Sequence, residues 1–170
     1  KWKTELPAKG CSTPIVWNDQ IIITSPNAGN DTLISFDWNG KKRWQTTVGS
    51  ERAGKHRNGS GSNPSAITDG KLLFAYFKSG NLAGFTLDGK LLWTTNLQER
   101  FARDTLYWDI GTSPVLTLKH VVLAVMHSGE SYLAAFDKRT GELAWKESRN
   151  YKTPVECDHS YATPHVVQYQ

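Results

Sequence analysis

Four prolines, Pro14, Pro64, Pro114 and Pro164, recur at a fixed interval of 50 residues, and short β-rich runs separated by turn residues fill each interval. That pattern predicts an all-β fold, a β-propeller of repeated four-stranded antiparallel blades. A second observation points the same way: Trp44, Trp93 and Trp145 each stand four residues after a turn glycine, Gly40, Gly89 and Gly141. The third is composition, with seven Trp against a single Met, a bias whose regular spacing ordinary core filling would not produce.

The first strand of each copy follows its proline, in Ser12-Thr13-Pro14-Ile15-Val16, Ser62-Asn63-Pro64-Ser65-Ala66, Thr112-Ser113-Pro114-Val115-Leu116 and Ala162-Thr163-Pro164-His165-Val166. Proline at a strand's first residue removes no needed ladder donor. The second strand is a run rich in branched or aromatic residues: Gln20-Ile21-Ile22-Ile23-Thr24, Lys71-Leu72-Leu73-Phe74-Ala75-Tyr76-Phe77 or His120-Val121-Val122-Leu123-Ala124-Val125. Such runs have the length and composition of buried strands. Turn residues close them at Pro26-Asn27-Ala28-Gly29, Ser79-Gly80 and Ser128-Gly129.

The third strand carries Leu33-Ile34-Ser35-Phe36, Leu82-Ala83-Gly84-Phe85 or Leu133-Ala134-Ala135-Phe136, with alternate positions facing opposite sides. It ends at Asn39-Gly40, Asp88-Gly89 or Thr140-Gly141. The first two are strong hairpin signals, because Asn, Asp and Gly accept the positive φ of a tight turn. A fourth strand with the Trp follows. Trp2-Lys3-Thr4-Glu5-Leu6 parallels Trp44-Gln45-Thr46-Thr47-Val48, so the chain is expected to begin on a fourth strand and to stop inside a first one.

The expected segments of this one propeller are a blade end over 1–10, blades over 11–48, 60–97 and 109–149, and a partial blade over 159–170. A helical solenoid is excluded by the β pattern. A parallel β-helix would need shorter rungs, and a β-sandwich would not repeat at a fixed period. Closure needs at least about four blades, so the remaining blades of a longer parent chain are expected as partners, and open ends would expose unpaired edges.

Net charge is +4, with the basic residues scattered among acids. No nucleic-acid partner is expected from that distribution. No apolar stretch approaches the ~20 residues of a membrane span, and Lys1 to Leu6 lacks the hydrophobic segment of a secretory signal. Cys11 and Cys157 fit neither a disulfide framework nor a zinc motif. They precede prolines three repeats apart, and bridging requires Cα atoms within about 7 Å, so free thiols or pairing with another segment are expected.

Asp137-Lys138-Arg139-Thr140-Gly141-Glu142-Leu143-Ala144-Trp145 resembles the repeat signature of the pyrroloquinoline-quinone-like propeller family: an Asp, a Thr-Gly turn and a Trp. Asp37 to Trp44 and Leu87 to Trp93 are reduced forms. The resemblance covers nearly the whole chain, and it implies that Trp44, Trp93 and Trp145 dock neighbouring blades. It also implies an extracytoplasmic, periplasmic setting and a scaffold-type member that binds a protein or small ligand. Quinone-dependent dehydrogenases share the fold, so a piece of such an enzyme is the alternative. Their adjacent cysteine pair and calcium ligands have no counterpart here, so neither a quinone cofactor nor a metal is expected in these residues.

Individuality lies where the copies differ, in the long connections over 49–61, 98–109 and 150–159. Topology places all three on one face, and loops of this length are commonly functional. His127, ahead of the Ser128-Gly129 turn, reads as structural. His56 lies with Arg52, Lys55 and Arg57 in a run that reads as a solvated loop or an anion site. Aligning the copies on their prolines puts Trp108 and Asp109 at the places of Asp158 and His159. With Arg103, Tyr107 and Tyr161 as neighbours, these form the candidate binding site, with no catalytic residue among them. The other reading has Asp109 and His159 tying loop backbones to adjoining blades.

Overall fold

Alternating side-chain direction along the second strand of the middle copy decides how the sheets stack: Leu73, Ala75 and Phe77 point to one side and Phe74 and Tyr76 to the other, all of them buried. A strand buried on both faces needs a layer against each. The computed structural model describes residues 1–154 and 157–168, and supplies those layers as three antiparallel meanders. Residues 155 and 156 of the third connection, and the last two residues of the segment expected over 159–170, lie outside the described part.

The first sheet contains β1 (Ile15–Trp17), β2 (Gln20–Asn27), β3 (Asn30–Phe36) and β4 (Lys42–Ser50) in sequential order. The second contains β5 (Ile67–Thr68), β6 (Leu72–Tyr76), β7 (Asn81–Thr86) and β8 (Leu91–Asn96). The third contains β9 (Val115–Leu116), β10 (His120–Val125), β11 (Tyr132–Asp137) and β12 (Leu143–Ser148). Ile22, Leu33, Leu73, Ala75, Phe77 and Phe85 fill the space between the first two sheets. Phe74, Tyr76, Leu82, Val121, Leu123, Tyr132 and Phe136 fill the space between the second and third.

One device repeats at each junction between sheets. The third and fourth strands carry a bulge at the same place, after the pairs Ser35↔Trp44, Gly84↔Trp93 and Ala135↔Trp145. A small residue opposite the Trp lets the indole lie across its own sheet and reach the next one. There it meets the turn glycine of the neighbouring third and fourth strands. Trp44 packs on Gly89 and Trp93 on Gly141, and Trp2 packs on Gly40 in the same way. These glycines have φ of 87°, 72° and 77°, and a Cβ on any of them would run into the ring. Glycine is thus required both for backbone conformation and for the close approach.

Hydrogen bonds fix each seat. Trp93 Nε1 donates to the Lys138 carbonyl at 3.0 Å, and Trp2 Nε1 donates to the corresponding Trp38 carbonyl. Trp44 Nε1 reaches its turn indirectly, donating to Gln20 Oε1 at 2.9 Å while Gln20 Nε2 donates to the Leu87 carbonyl at 3.0 Å. Thr4 and Thr46 hydroxyls donate to the Gly40 and Gly89 carbonyls. A second ladder runs beside the prolines: the backbone N–H of Thr13, Ser65 and Ser113 donates to the hydroxyl of Ser65, Ser113 and Thr163, at 2.8, 2.9 and 3.0 Å.

Two local expectations are corrected. Residues 2–6 are not a strand, because among the described residues no third strand lies alongside to ladder with them; the Trp2 and Thr4 side chains bond the segment to the turn at Gly40. The connection expected over 98–109 begins with a helical turn, α1 (Leu97–Arg100), capped by the Asn96 side chain accepting from Gln98 and Glu99 N–H. An Asn followed three residues later by Glu is a recognisable start signal. Among the described residues, no helix is long and apolar enough to cross a membrane.

The seat predicts unequal costs for two glycine substitutions at positive φ. Gly129, at φ 100°, has open space around it, so Gly129→Ala is expected to lose only the backbone penalty of about 1 kcal/mol. Gly89→Ala must also displace Trp44 and is expected to lose about 2–4 kcal/mol. Urea unfolding of both variants checks this, and equal losses would show that the ring does not depend on the glycine.

Candidate functional site

The connections 51–66, 97–114 and 149–163 leave the same end of the three sheets, as the meander order requires. Behind their surface lies a set of polar groups that bind them to each other. Lys78, two residues past the end of β6, is 1% exposed at its side chain, and Asp109, in the connection six residues ahead of β9, is 3% exposed. The two form an ion pair, and Lys78 Nζ also donates to the Ala53 carbonyl at 2.6 Å. Asp109 accepts further from the backbone N–H of Lys55, at 2.8 and 2.9 Å, and of His56 at 3.3 Å. Burial raises the Asp109 carboxyl, but Lys78 and these N–H groups outweigh it and hold it below the usual carboxylate range. A Cβ at Gly59 would strike this carboxylate.

A second network sits beside it. Arg52 pairs with Asp104 and donates to Gln98 Oε1 at 2.8 Å, and Gln98 Nε2 donates to the Lys78 carbonyl at 2.7 Å. Lys55 Nζ donates to the Leu106 carbonyl at 2.5 Å. Most of the basic run around His56 is therefore engaged with protein groups. Farther along, buried Asp31 accepts from the Ser79 hydroxyl at 2.5 Å and the Asn81 amide at 2.9 Å, joining the first sheet to the second. Burial pushes its carboxyl up to about 6 despite those two donors.

The residues singled out from sequence divide into four groups. Tyr107, Trp108 and Tyr161 come together. Tyr107 and Trp108 rings stand edge-on with centroids 4.8 Å apart, His56 is edge-on to Trp108 at 5.0 Å, and the backbone N–H of Trp108 donates to the Tyr161 hydroxyl at 3.3 Å. Tyr107 is 64% exposed and Trp108 49%. Asp109 points inward from this group. Asp158 and His159 are half-buried with 3.8 Å between Oδ1 and Nε2, where the Met126↔Ser160 bridge brings the third connection back beside β10. Arg103 lines a separate hollow of about 330 Å³ with Arg52, Ser79, Asn96, Gln98 and Glu99.

Lys78 escaped the sequence reading, although a signal existed. It precedes Ser79-Gly80 as His127 precedes Ser128-Gly129, and both side chains are buried. His127 Nδ1 lies 2.8 Å from the Ser128 carbonyl and 3.2 Å from the Thr105 hydroxyl. Cys11 and Cys157 are free thiols on the surface. Among the described residues no three metal-ligating side chains converge, and both Asp109 oxygens are occupied by protein donors.

The Lys78 and Asp109 pair yields a stability prediction. Lys78→Met leaves a buried carboxylate without its counter-ion and is expected to lose about 3–5 kcal/mol, whereas Lys78→Met combined with Asp109→Leu should recover a large part of that. Urea unfolding of the single and double variants decides it. A loss below about 1 kcal/mol in the single variant would mean that the pair behaves as a solvated surface bridge.

A sequence profile described as outer membrane protein assembly factor BamB matches residues 1–163. No curated protein matches. The quinohemoprotein alcohol dehydrogenase of Pseudomonas putida HK5 superposes with a TM-score of 0.64 at 17% identity, covering 86% of this chain and 22% of that one. The quinohemoprotein alcohol dehydrogenase of Comamonas testosteroni gives 0.62 at 18%, covering 81% and 20%. BamB of Moraxella catarrhalis gives 0.58 at 18%, covering 86% of this chain and 41% of that one. The chain thus spans a minor part of each of these structures, and at such identities the likeness is one of fold. With three meander sheets of matching architecture and a profile match over nearly its whole length, the chain belongs to the BamB family of PQQ-like β-propeller repeats.

Proposed function

We propose that the chain is a non-catalytic propeller module that holds a protein partner against the face carrying its inter-sheet connections. In this reading the repeat units are the segments 11–48, 60–97 and 109–149, and they present the connections as one surface. The observation that carries the reading is the pair of exposed rings Tyr107 and Trp108, with half-buried His56 edge-on to Trp108. Large amphipathic rings supply contact area at low entropic cost and dominate protein interfaces. The networks of Lys78, Asp109, Arg52 and Asp104 hold the backbone beneath those rings, so little ordering would remain for binding. Asp158, His159 and Arg103 flank the surface as secondary contacts. The family's description as an assembly factor for outer membrane proteins favours a scaffold over an enzyme and a periplasmic setting.

The test uses the immobilised chain and detergent-solubilised envelope proteins, with the retained protein identified by mass and then rebound in purified form. Tyr107→Ala with Trp108→Ala is expected to weaken that binding by at least about tenfold. Trp38→Ala, an exposed ring at the opposite end of the first sheet, is expected to leave it unchanged. Unchanged binding by the Tyr107 and Trp108 variant would overturn the reading.

A further inference from the structure

At the end of the sheets opposite the connections, the short turns of the second and third sheets enclose a cleft. It consists of two adjoining hollows of about 590 and 550 Å³ that share Asp69, Lys71, Leu118 and Lys138. One extends along the first strands, past Ile67, Val115 and Leu116. The other opens between the turns, past Leu72, Lys119 and Arg139. Leu118 stands at the rim, 91% exposed.

The charges of this cleft do not balance. Four cations line it, Lys71, Lys119, Lys138 and Arg139, against two carboxylates, Asp69 and Asp137. Asp69 is taken by Lys138 at 2.9 Å and by the backbone N–H of Lys71 and Leu72 at 3.0 and 2.9 Å. Asp137 is taken by the backbone N–H of Arg139 and Thr140 at 2.8 and 3.0 Å. Lys71, Lys119 and Arg139 therefore have no ion-pair partner among the described residues. Three free cations surround an apolar floor of Leu72, Leu116 and Val115, with Leu118 beside them.

We propose that this cleft is a docking groove for an extended acidic peptide segment carrying an apolar side chain. Charge complementarity selects the acid: carboxylates on the peptide would meet Lys71, Lys119 and Arg139, and the apolar side chain would cover Leu118 and the floor. A nucleic-acid strand fits less well, because no Phe, Tyr or Trp ring lines the cleft for bases to stack on, and the His165 imidazole alone offers no continuous stacking platform. The groove is independent of the connection face and would be a second point of attachment.

Fluorescence anisotropy with a short labelled peptide of alternating Glu and Leu tests the proposal, with a Gln and Leu peptide and a labelled single-stranded oligonucleotide as comparisons. The Glu peptide is expected to bind, with an affinity that falls as salt rises, and Lys119→Glu with Arg139→Glu is expected to weaken it by at least about tenfold. Leu118→Ser should weaken it separately, and Arg57→Glu on the other face should not. Backbone amide shifts of the unaltered protein provide a readout independent of variant folding, and are expected to move around Leu118, Lys119 and Arg139. Equal binding of the Gln peptide, preference for the oligonucleotide, unchanged binding by the charge-reversed variant, or shifts centred elsewhere would each overturn it.

Discussion

An indole ring seated on a glycine of the next sheet is the contact on which the rest of this structure depends. A four-stranded meander alone buries too little to be stable, since each of its faces must be covered by a neighbour. The seat sets how the neighbours meet. Trp44 on Gly89 and Trp93 on Gly141 bring Phe85 and Phe136 into layers between sheets, and the core forms around them. The bulge that precedes each Trp and the small residue opposite it, Ser35, Gly84 or Ala135, serve the same geometry.

With the sheets fixed in this way, their connections are held at one end, and a separate set of interactions makes that end rigid. Lys78 is the centre of it. Its ammonium binds Asp109 from the following connection and the Ala53 carbonyl from the preceding one, so three segments distant in sequence share one buried charge. Such a pair adds little net stability over an apolar packing, but its members cannot be separated cheaply. That arrangement suits a surface that must present Tyr107 and Trp108 in a fixed position. At the opposite end the turns are short, the cations are in excess, and the surface has a different character.

Much of the fold was legible because the repeat is written in residue types with strict backbone meaning. Prolines at strand starts, turn glycines and the Trp four positions later each constrain the chain locally, and their shared recurrence, every 50 residues for the prolines and at intervals of 49 and 52 for the glycines and Trp, identifies the architecture. The site was less legible. Aligning the copies drew attention to Trp108, Asp109, Asp158 and His159, but whether a side chain turns to solvent or inward is a matter of tertiary partners. Trp108 turned out and Asp109 turned in, toward a lysine 31 residues earlier. The relay from Trp44 through Gln20 to the Leu87 carbonyl has no sequence signal, since it joins groups that only the stacked sheets bring together. The short α1 was legible in its Asn96 cap but was obscured by the surrounding strands.

The seated Trp can be compared with one that lacks a seat. Trp93 is 9% exposed and packs on Gly141, whereas Trp145, at the same place in its own sheet, is 38% exposed, and no turn glycine among the described residues lies against it. The decisive measurement is the unfolding free energy of Trp93→Ala beside Trp145→Ala under identical conditions. If the seat holds the sheets together, Trp93→Ala loses about 3–5 kcal/mol and Trp145→Ala less than about 1 kcal/mol. Similar losses in the two variants would contradict the account, because the ring would then be acting within its own sheet.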